Sequence, residues 1–334
     1  MAVGCASHQA AIIDRDGGTV AQADVLLQVD WSRVLDDNST ASVLIQADGD
    51  CCAQLGRVRA WRHKLVIYRD GQPVWEGPII SPEFNADGTV LIQAADILAW
   101  LDRRVPHDSV RFTAEDLTNI AAWLIKDGFA PDDPGHTVTI VAPTRIKGDR
   151  EYAVDVGQTG DHLRDLAETG LDYTAVGARI LLLPEDHSAR VGALTDQDFP
   201  DGLAITEDGA ALATRWVIHG AEGVKGEDGG IHPYYGLLEQ VGDESSILDD
   251  QSAAQAARSR LRASTAPVFI DSQETTLSPD APVDVPSLVP GWCLDITTTA
   301  TCRNISQSLK IIGVRVSEDS SGEQVKVQLT PVGV

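Results

Sequence analysis

The stretch from Lys64 to Arg104, KLVIYRDGQPVWEGPIISPEFNADGTVLIQAADILAWLDRR, sets the tightest limit on the fold, because it reads as three connected strands running into a short amphipathic helix. Leu65, Ile67 and Tyr68 lead into a turn at Asp70-Gly71, and the apolar pair Val74-Trp75 follows without clean alternation. Past Pro78, Ile79 and Ile80 resume a strand, Asn85-Ala86-Asp87-Gly88 turns the chain, and Val90, Ile92 and Ala94 alternate again. Asp-Gly steps accept the positive φ that a tight turn requires, so two such turns predict antiparallel neighbours. This is the chemistry of a β scaffold and does not resemble a catalytic pocket.

A second period-2 pattern precedes it: Val25, Leu27, Val29 and Trp31, a polar turn at Asp36-Asp37-Asn38, then Ala41, Val43 and Ile45. Residues 1–104 thus read as one β-rich domain. The character changes at Pro106. Thr113 is placed to cap a helix with Asp116 at its third position, and Leu117, Ile120, Ala121, Leu124 and Ile125 follow at helical spacing up to Asp127-Gly128. A second helix is predicted from Thr159, with Leu163, Leu166 and Ala167 on one face, Gly170 as the stop and a strand over 179–183 behind it. Residues 105–210 read as an α+β insert. A strand from Ala211 to His219 opens the last region, and the five glycines between Gly220 and Gly230 predict a flexible or extended surface loop reaching Gly236. A helix over 250–262, ended by Pro267, and strands near 268–270, 291–298, 308–316 and 324–330 complete a second β-rich domain over 211–334. The expected class is β-rich α+β.

Composition narrows the partners. Fifty acidic residues against 26 basic ones give a net charge of −24, which opposes phosphate-backbone binding unless the cations gather in one patch, and no dense basic run stands out. No run of about 20 apolar residues spans a bilayer, and the N-terminal stretch lacks the basic-then-apolar order of an export signal, so synthesis inside a cell without secretion or membrane insertion is expected. The five cysteines are odd in number and show no CxxC spacing; Cys293 and Cys302 either meet across a hairpin or stay free thiols.

The local motifs assign no catalytic residue, no cofactor site and no metal. Asp14, Asp16 and Gly18 begin like a calcium loop, but Thr19 and Val25 stand where glycine and glutamate belong. His162 and Asp165 share a helix face without further ligands, and Glu185-Asp186-His187 follows a strand as an exposed turn would. The common nucleophile, zincin and phosphate-loop signatures do not occur.

The order of LVIYRDGQPVWEGPI (65–79), VLIQAADILAWLDRR (90–104), GQTGDHLRDLAETGLDYTAVGARILLL (157–183), RWVIHG (215–220), PSLVPGWCLDI (286–296) and LKIIGVRVSEDSSGEQVKVQLTP (309–331) resembles the minor tail proteins of long-tailed actinobacterial phages. That siphovirus tail-hub group is similar to the baseplate hub proteins of contractile tails. The resemblance implies a non-enzymatic homotrimeric ring at the tail tip of a virion, made in the bacterial host cytoplasm. Each subunit would supply two β-barrel-like tube domains, with the α+β domain inserted on the outside, so that three subunits match a six-fold tail. It further implies a distal tail ring protein, the tape-measure terminus and receptor-binding or other tip proteins as partners, with genome DNA passing through without specific binding. Relatives often carry a C-terminal hydrolase or fibre, whereas this sequence stops at Val334 after the last hairpin, so lytic activity of its own is not expected.

Within that reading, Tyr68 and Trp75 are candidate subunit-interface anchors, with core packing as their other role, and contacts are expected along the edges of the 65–94 and 309–330 hairpins. His232, Tyr234 and Tyr235 form a candidate partner-binding loop. A phage-associated cell-wall hydrolase and a carbohydrate-binding tail adhesin are the alternative functions, the first needing paired carboxylates in a cleft and the second exposed aromatic platforms.

Overall fold

In a computed structural model, the structure describes residues 6–331 except 48, 204, 208, 210–211, 246, 265–267, 271–273, 300–301 and 303. Ala211, Pro267 and Val334, named above, and Cys5, one of the five cysteines, lie outside the described residues.

Alternating burial builds the first strands. They are β1 (His8–Asp14), β2 (Thr19–Ala23), β3 (Gln28–Val34), β4 (Thr40–Gln46), β5 (His63–Arg69), β6 (Gln72–Phe84) and β7 (Thr89–Ala95), with a short helix α1 (Gly49–Leu55) between β4 and β5. Val29 and Trp31 of β3, Val43 and Ile45 of β4, and Ile92 of β7 all point into one core. The long strand β6 serves two neighbours: residues 72–78 pair with β5, and residues 79–84 pair with β7 after a shift in register. At the changeover, any Cβ on Gly77 would collide with the backbone of Ala95, so only glycine lets the two layers approach there. The amphipathic segment at 97–103 is a 3-10 helix capped by Asp96, whose carboxylate accepts the Leu98 amide at 3.0 Å.

The middle of the chain forms β8 (Val110–Asp116), α2 (Leu117–Phe129), β9 (Thr137–Ile140), β10 (Lys147–Tyr152), α3 (Thr159–Ala167), β11 (Leu171–Val176), β12 (Arg179–Pro184) and β13 (Arg190–Thr195). The first helix starts later than the sequence suggests. Asp116, not Thr113, is the cap, and the helix runs through Asp127-Gly128 to Phe129. Pairing of β8 with β10 as far as Asp116 keeps residues 110–116 extended and overrides the local helix signal. Ile120, Leu124 and Ile125 of α2 pack with Leu163 and Leu166 of α3 and with Leu171, Ile180 and Leu182 into a separate core.

The last third holds β14 (Ile205–Glu207), β15 (Arg215–His219), β16 (Lys225–Gly229), β17 (Glu239–Asp243), α4 (Asp250–Ser264), β18 (Val268–Ile270), β19 (Thr275–Thr276), β20 (Cys293–Thr298), β21 (Ile305–Asp319) and β22 (Gly322–Pro331). The glycine-rich stretch is not the open loop its composition suggests, because residues 225–229 form β16 alongside β15. One of its glycines answers a packing need: a Cβ on Gly226 would strike the backbone of Ala253 and Ala254 in α4, so the strand and helix touch through bare backbone. Ile218, Ile247, Ala253, Ala256 and Ala257 make the small core of this unit.

The two β-rich ends share one sheet. β3 pairs antiparallel with β21 from Gly313↔Val34 to Glu318↔Val29, so the hydrogen-bonded order runs β13-β20-β21-β3-β4-β7-β6-β5-β1-β2, with β22 on the other side of β21. This path does not close into a barrel among the described residues. Buried polar groups stitch the ends together. Arg69 of β5 grips Glu323 of β22 with two bonds at 2.7 and 2.9 Å, and Arg33 of β3 donates to the carbonyls of Pro286, Leu288 and Val74. Burial draws the Arg33 guanidinium down to about 10. Lys310 of β21 reaches Asp172 of β11 at 2.8 Å and the Glu185 carbonyl at 2.7 Å, which fastens the middle region to the sheet. Burial works against this ammonium, yet the adjoining Asp172 carboxylate lifts its pKa above the usual lysine range. Cys293 stands opposite Lys310 in the β20–β21 pair, and Cys293 and Cys302 are both free thiols.

Candidate functional site

The β1–β2 turn, the start of β5, the 3-10 helix and residues 132–134 enclose a groove of about 500 Å³. Its aromatic wall is built by strain. Trp61 sits at φ 61°, a left-handed conformation that a bulky residue rarely adopts, and its amide donates to the Ile79 carbonyl at 2.8 Å. That turn sets its indole edge-on to Trp100, with ring centroids 4.8 Å apart. The Arg103 guanidinium lies 5.2 Å from the Trp61 ring and that of Arg104 lies 5.7 Å from Trp100, both cation–π distances.

Carboxylates organise the charged rim. Asp14 accepts two bonds from Arg62 and one from His63, each at 3.0 Å, and Asp132 bridges Arg15 and Arg104. The Asp16 amide first, and then Arg62 and His63, hold the Asp14 carboxyl below its usual range; Arg15 and Arg104 do the same for Asp132. Both carboxylates therefore stay ionised at neutral pH. Arg15, Arg62, Lys64 and Arg104 line the groove against Asp14, Glu76 and Asp132, so four cations face three anions in a chain whose net charge is −24. Such a rim can recognise an acidic, partly apolar surface. The sequence carried a signal for it that the reading above missed: Arg57, Arg59, Arg62 and Lys64 fall within RVRAWRHK, a local basic run wrapped around a tryptophan.

The residues singled out from the sequence are scattered. Tyr68 is half-buried and lines this groove. Trp75 is 4% exposed, sits in the main core and donates its indole N–H to the Ser32 carbonyl at 3.1 Å, which is packing within the subunit. The outer edges of the 65–94 hairpin are covered by the chain itself, since β1 flanks β5 and β4 flanks β7. In the 309–330 hairpin, β22 has on its outer side only the two-residue strand β19 among the described residues. His232, Tyr234 and Tyr235 cap a tight reversal: His232 and Gly236 exchange backbone bonds of 2.8 and 2.9 Å, and the His232 Nδ1 accepts the Tyr234 and Tyr235 amides at 3.2 Å. Tyr234 stacks edge-on to Tyr235 at 4.8 Å and is 83% exposed, beside Ile231 at 81%. The aromatic cluster is thus an ordered tip on β15–β17.

Of the polar groups considered for chemistry, Asp14 and His162 have structural partners, whereas the buried Nε2 of His187 has no hydrogen-bond partner among the described residues. Asp14 serves the β1–β2 turn and the groove rim. The His162 ring reaches the Val156 carbonyl at 2.9 Å and packs edge-on against Tyr152. The Glu185 carbonyl receives Lys310, and burial pulls His187 down beside Trp292. Among the described residues no three His, Cys, Asp or Glu side chains converge as a metal ion requires, and no helix is long and apolar enough to cross a membrane.

No protein-family model matches the sequence, and no curated protein does. Solved structures share the fold along nearly the whole chain. A 43 kDa tail protein of prophage MuSo2 from Shewanella oneidensis aligns with a TM-score of 0.69 at 13% identity, covering 98% of this chain and 99% of that one. A tail protein from Neisseria meningitidis MC58 aligns at 0.67 and 11% identity, covering 98% of both chains. The c3393 protein of E. coli, a type VI secretion component described as structurally similar to the T4 phage tail proteins gp27 and gp5, aligns at 0.53 and 11% identity over 92% of this chain and 73% of that one. At these identities the shared property is the fold.

Proposed function

We propose that this chain is a structural component of a phage tail, acting as the hub at the tail tip, where three copies form a ring around the DNA exit channel. The observation that carries the reading is the end-to-end likeness to tail proteins, which spans 98% of this chain and 99% of its Shewanella counterpart. The ordered sequence resemblance to siphovirus tail hubs and contractile-tail hubs supports the same position. In this reading residues 1–104 and 211–334 supply the two barrel-like tube regions, and residues 105–210 form the insert on the outer wall. A distal tail ring, the tape-measure terminus and tip proteins are the partners, and Tyr234 with Tyr235 offers them an exposed aromatic contact. With a net charge of −24, the ring would let DNA pass without binding it. The role is non-enzymatic.

The test is the subunit number and shape of the full-length protein, by mass photometry and negative-stain imaging, alone and with the neighbouring tail proteins. Three copies around an open channel are expected. A monomer that persists with those partners present rules the hub out, and cleavage of purified cell wall would favour the hydrolase instead.

A further inference from the structure

The ring proposed above leaves open which surfaces meet, and strand β6 carries complementary ones at its two ends. At one end Pro73, Glu76 and Pro78 help line the Trp61–Trp100 groove with its excess of cations. At the other, the β6–β7 turn projects Phe84, 51% exposed, between Glu83 and Asp87. Phe84 is an unusual residue to leave on a hairpin tip, and Glu83 beside it in sequence is exposed. Asp87 is held ionised by the Thr89 hydroxyl and amide, so the tip presents one aromatic ring with two negative charges. The groove presents aromatic edges with positive charges.

We propose that the β6–β7 tip of one subunit docks in the Trp61–Trp100 groove of the next; this rests on the ring reading and names its contact. The tip cannot serve its own groove. Six residues of extended strand separate Pro78 from Phe84, roughly 20 Å at strand rise, and beyond the register shift between Ile79 and Ser81 the pairing of Glu83 with Leu91 and Phe84 with Val90 holds the tip in the β6–β7 ribbon, away from the groove. A knob and a socket at opposite ends of one strand make a head-to-tail contact, the kind that closes into rings. Desolvating Phe84 against the Trp61–Trp100 pair, whose rings already touch edge to face, supplies attraction, and the Glu83 and Asp87 charges against Arg15 and Arg62 set the orientation.

Charge exchange tests this. In the full-length protein, Glu83→Arg and Arg62→Glu should each raise the concentration at which the assembly half-forms by about tenfold or more, and the two changes together should recover most of that loss. Recovery is something misfolding cannot produce. In parallel, benzoylphenylalanine at position 84, in a mixture of isotope-labelled and unlabelled copies, should cross-link to the segments around 61 or 100 of another copy. If the ring forms but both single changes leave it intact, or position 84 links to another surface, the docking is wrong while the hub stands. If no assembly forms with tail partners present, both fall. Cross-links from position 84 to a different tail protein alone would also overturn the self-docking.

Discussion

The sheet that joins the two ends of the chain and the small unit over 215–264 solve the same problem in opposite ways. The sheet buries Trp31, Ile67, Ile79, Ile92, Val316 and Val327 in one core and locks it with hydrogen-bonded charge pairs between residues more than a hundred positions apart. Among the described residues the small unit has a core of five buried side chains, mostly alanine, and leaves Ile231, Tyr234, Leu237 and Val241 on its surface. Charge pairs such as Arg69–Glu323 contribute little net energy over an apolar replacement, but removing one partner strands a buried charge, so they enforce a single pairing of the ends. A region built that way suits a rigid frame. A region with a thin core and an apolar rim suits contact with something else.

Breaking the lock should cost most. Lys310→Met leaves Asp172 buried without its cation and is expected to lower the unfolding free energy by about 3–5 kcal/mol, read from urea melts. The double change Lys310→Met with Asp172→Leu should restore most of it, and a single change costing under about 1 kcal/mol would mean the pair is not the fastening described here. Gly226→Ala forces a methyl into the α4 backbone and should cost about 1–3 kcal/mol. Hydrogen exchange should show protection lost across 215–264 and kept in β20–β22; equal loss in both would end the contrast between the regions.

A subtler test lies in pH. Burial pushes the Asp96 carboxyl up to about 7, against the opposing Ser39 and Leu98 amides. Its unfolded value is about 3.9, so between those values the folded chain holds the extra proton. Its contribution to stability is therefore complete below about pH 4 and is lost as the pH rises through about 7. Asp96→Asn should remove that fall from the difference in urea midpoints between pH 5 and pH 8, and a parallel pair of curves would refute the assignment. Smallest of all, Tyr234→Ala should change the melting free energy by no more than about 0.5 kcal/mol, while weakening capture of the tail partner in a pull-down.

Strands with a one-sided hydropathy contrast were legible: β3, β4, the 63–95 segment and the final hairpin follow the alternation of their apolar residues, although Val25 and Leu27, read as the start of the same pattern, lie before β3 and are exposed. β1 was not, because His8, Gln9, Ala10 and Ala11 offer little contrast between faces. The start of α2 was misplaced because Thr113 and Asp116 are both good caps, and only pairing with β10 chooses between them. In the stretch over 220–230 glycine composition pointed to a loop, whereas Gly226 admits the backbone of α4, a reason that no local pattern contains. The groove draws on residues from 13 to 178, so its members are unremarkable one at a time.

By itself the sequence determined the β-rich class, the turns at Asp70-Gly71 and 85–88, and the faces that must be buried, because propensity and periodicity act over a few residues. Only the tertiary structure decided that β3 pairs with β21, that Arg69 meets Glu323, and that Trp61 is turned toward Trp100 beneath a ring of arginines. Those contacts depend on which distant strand edges and charges find each other. That choice is settled by the shared core, through the cost of leaving any buried charge or backbone group without a partner.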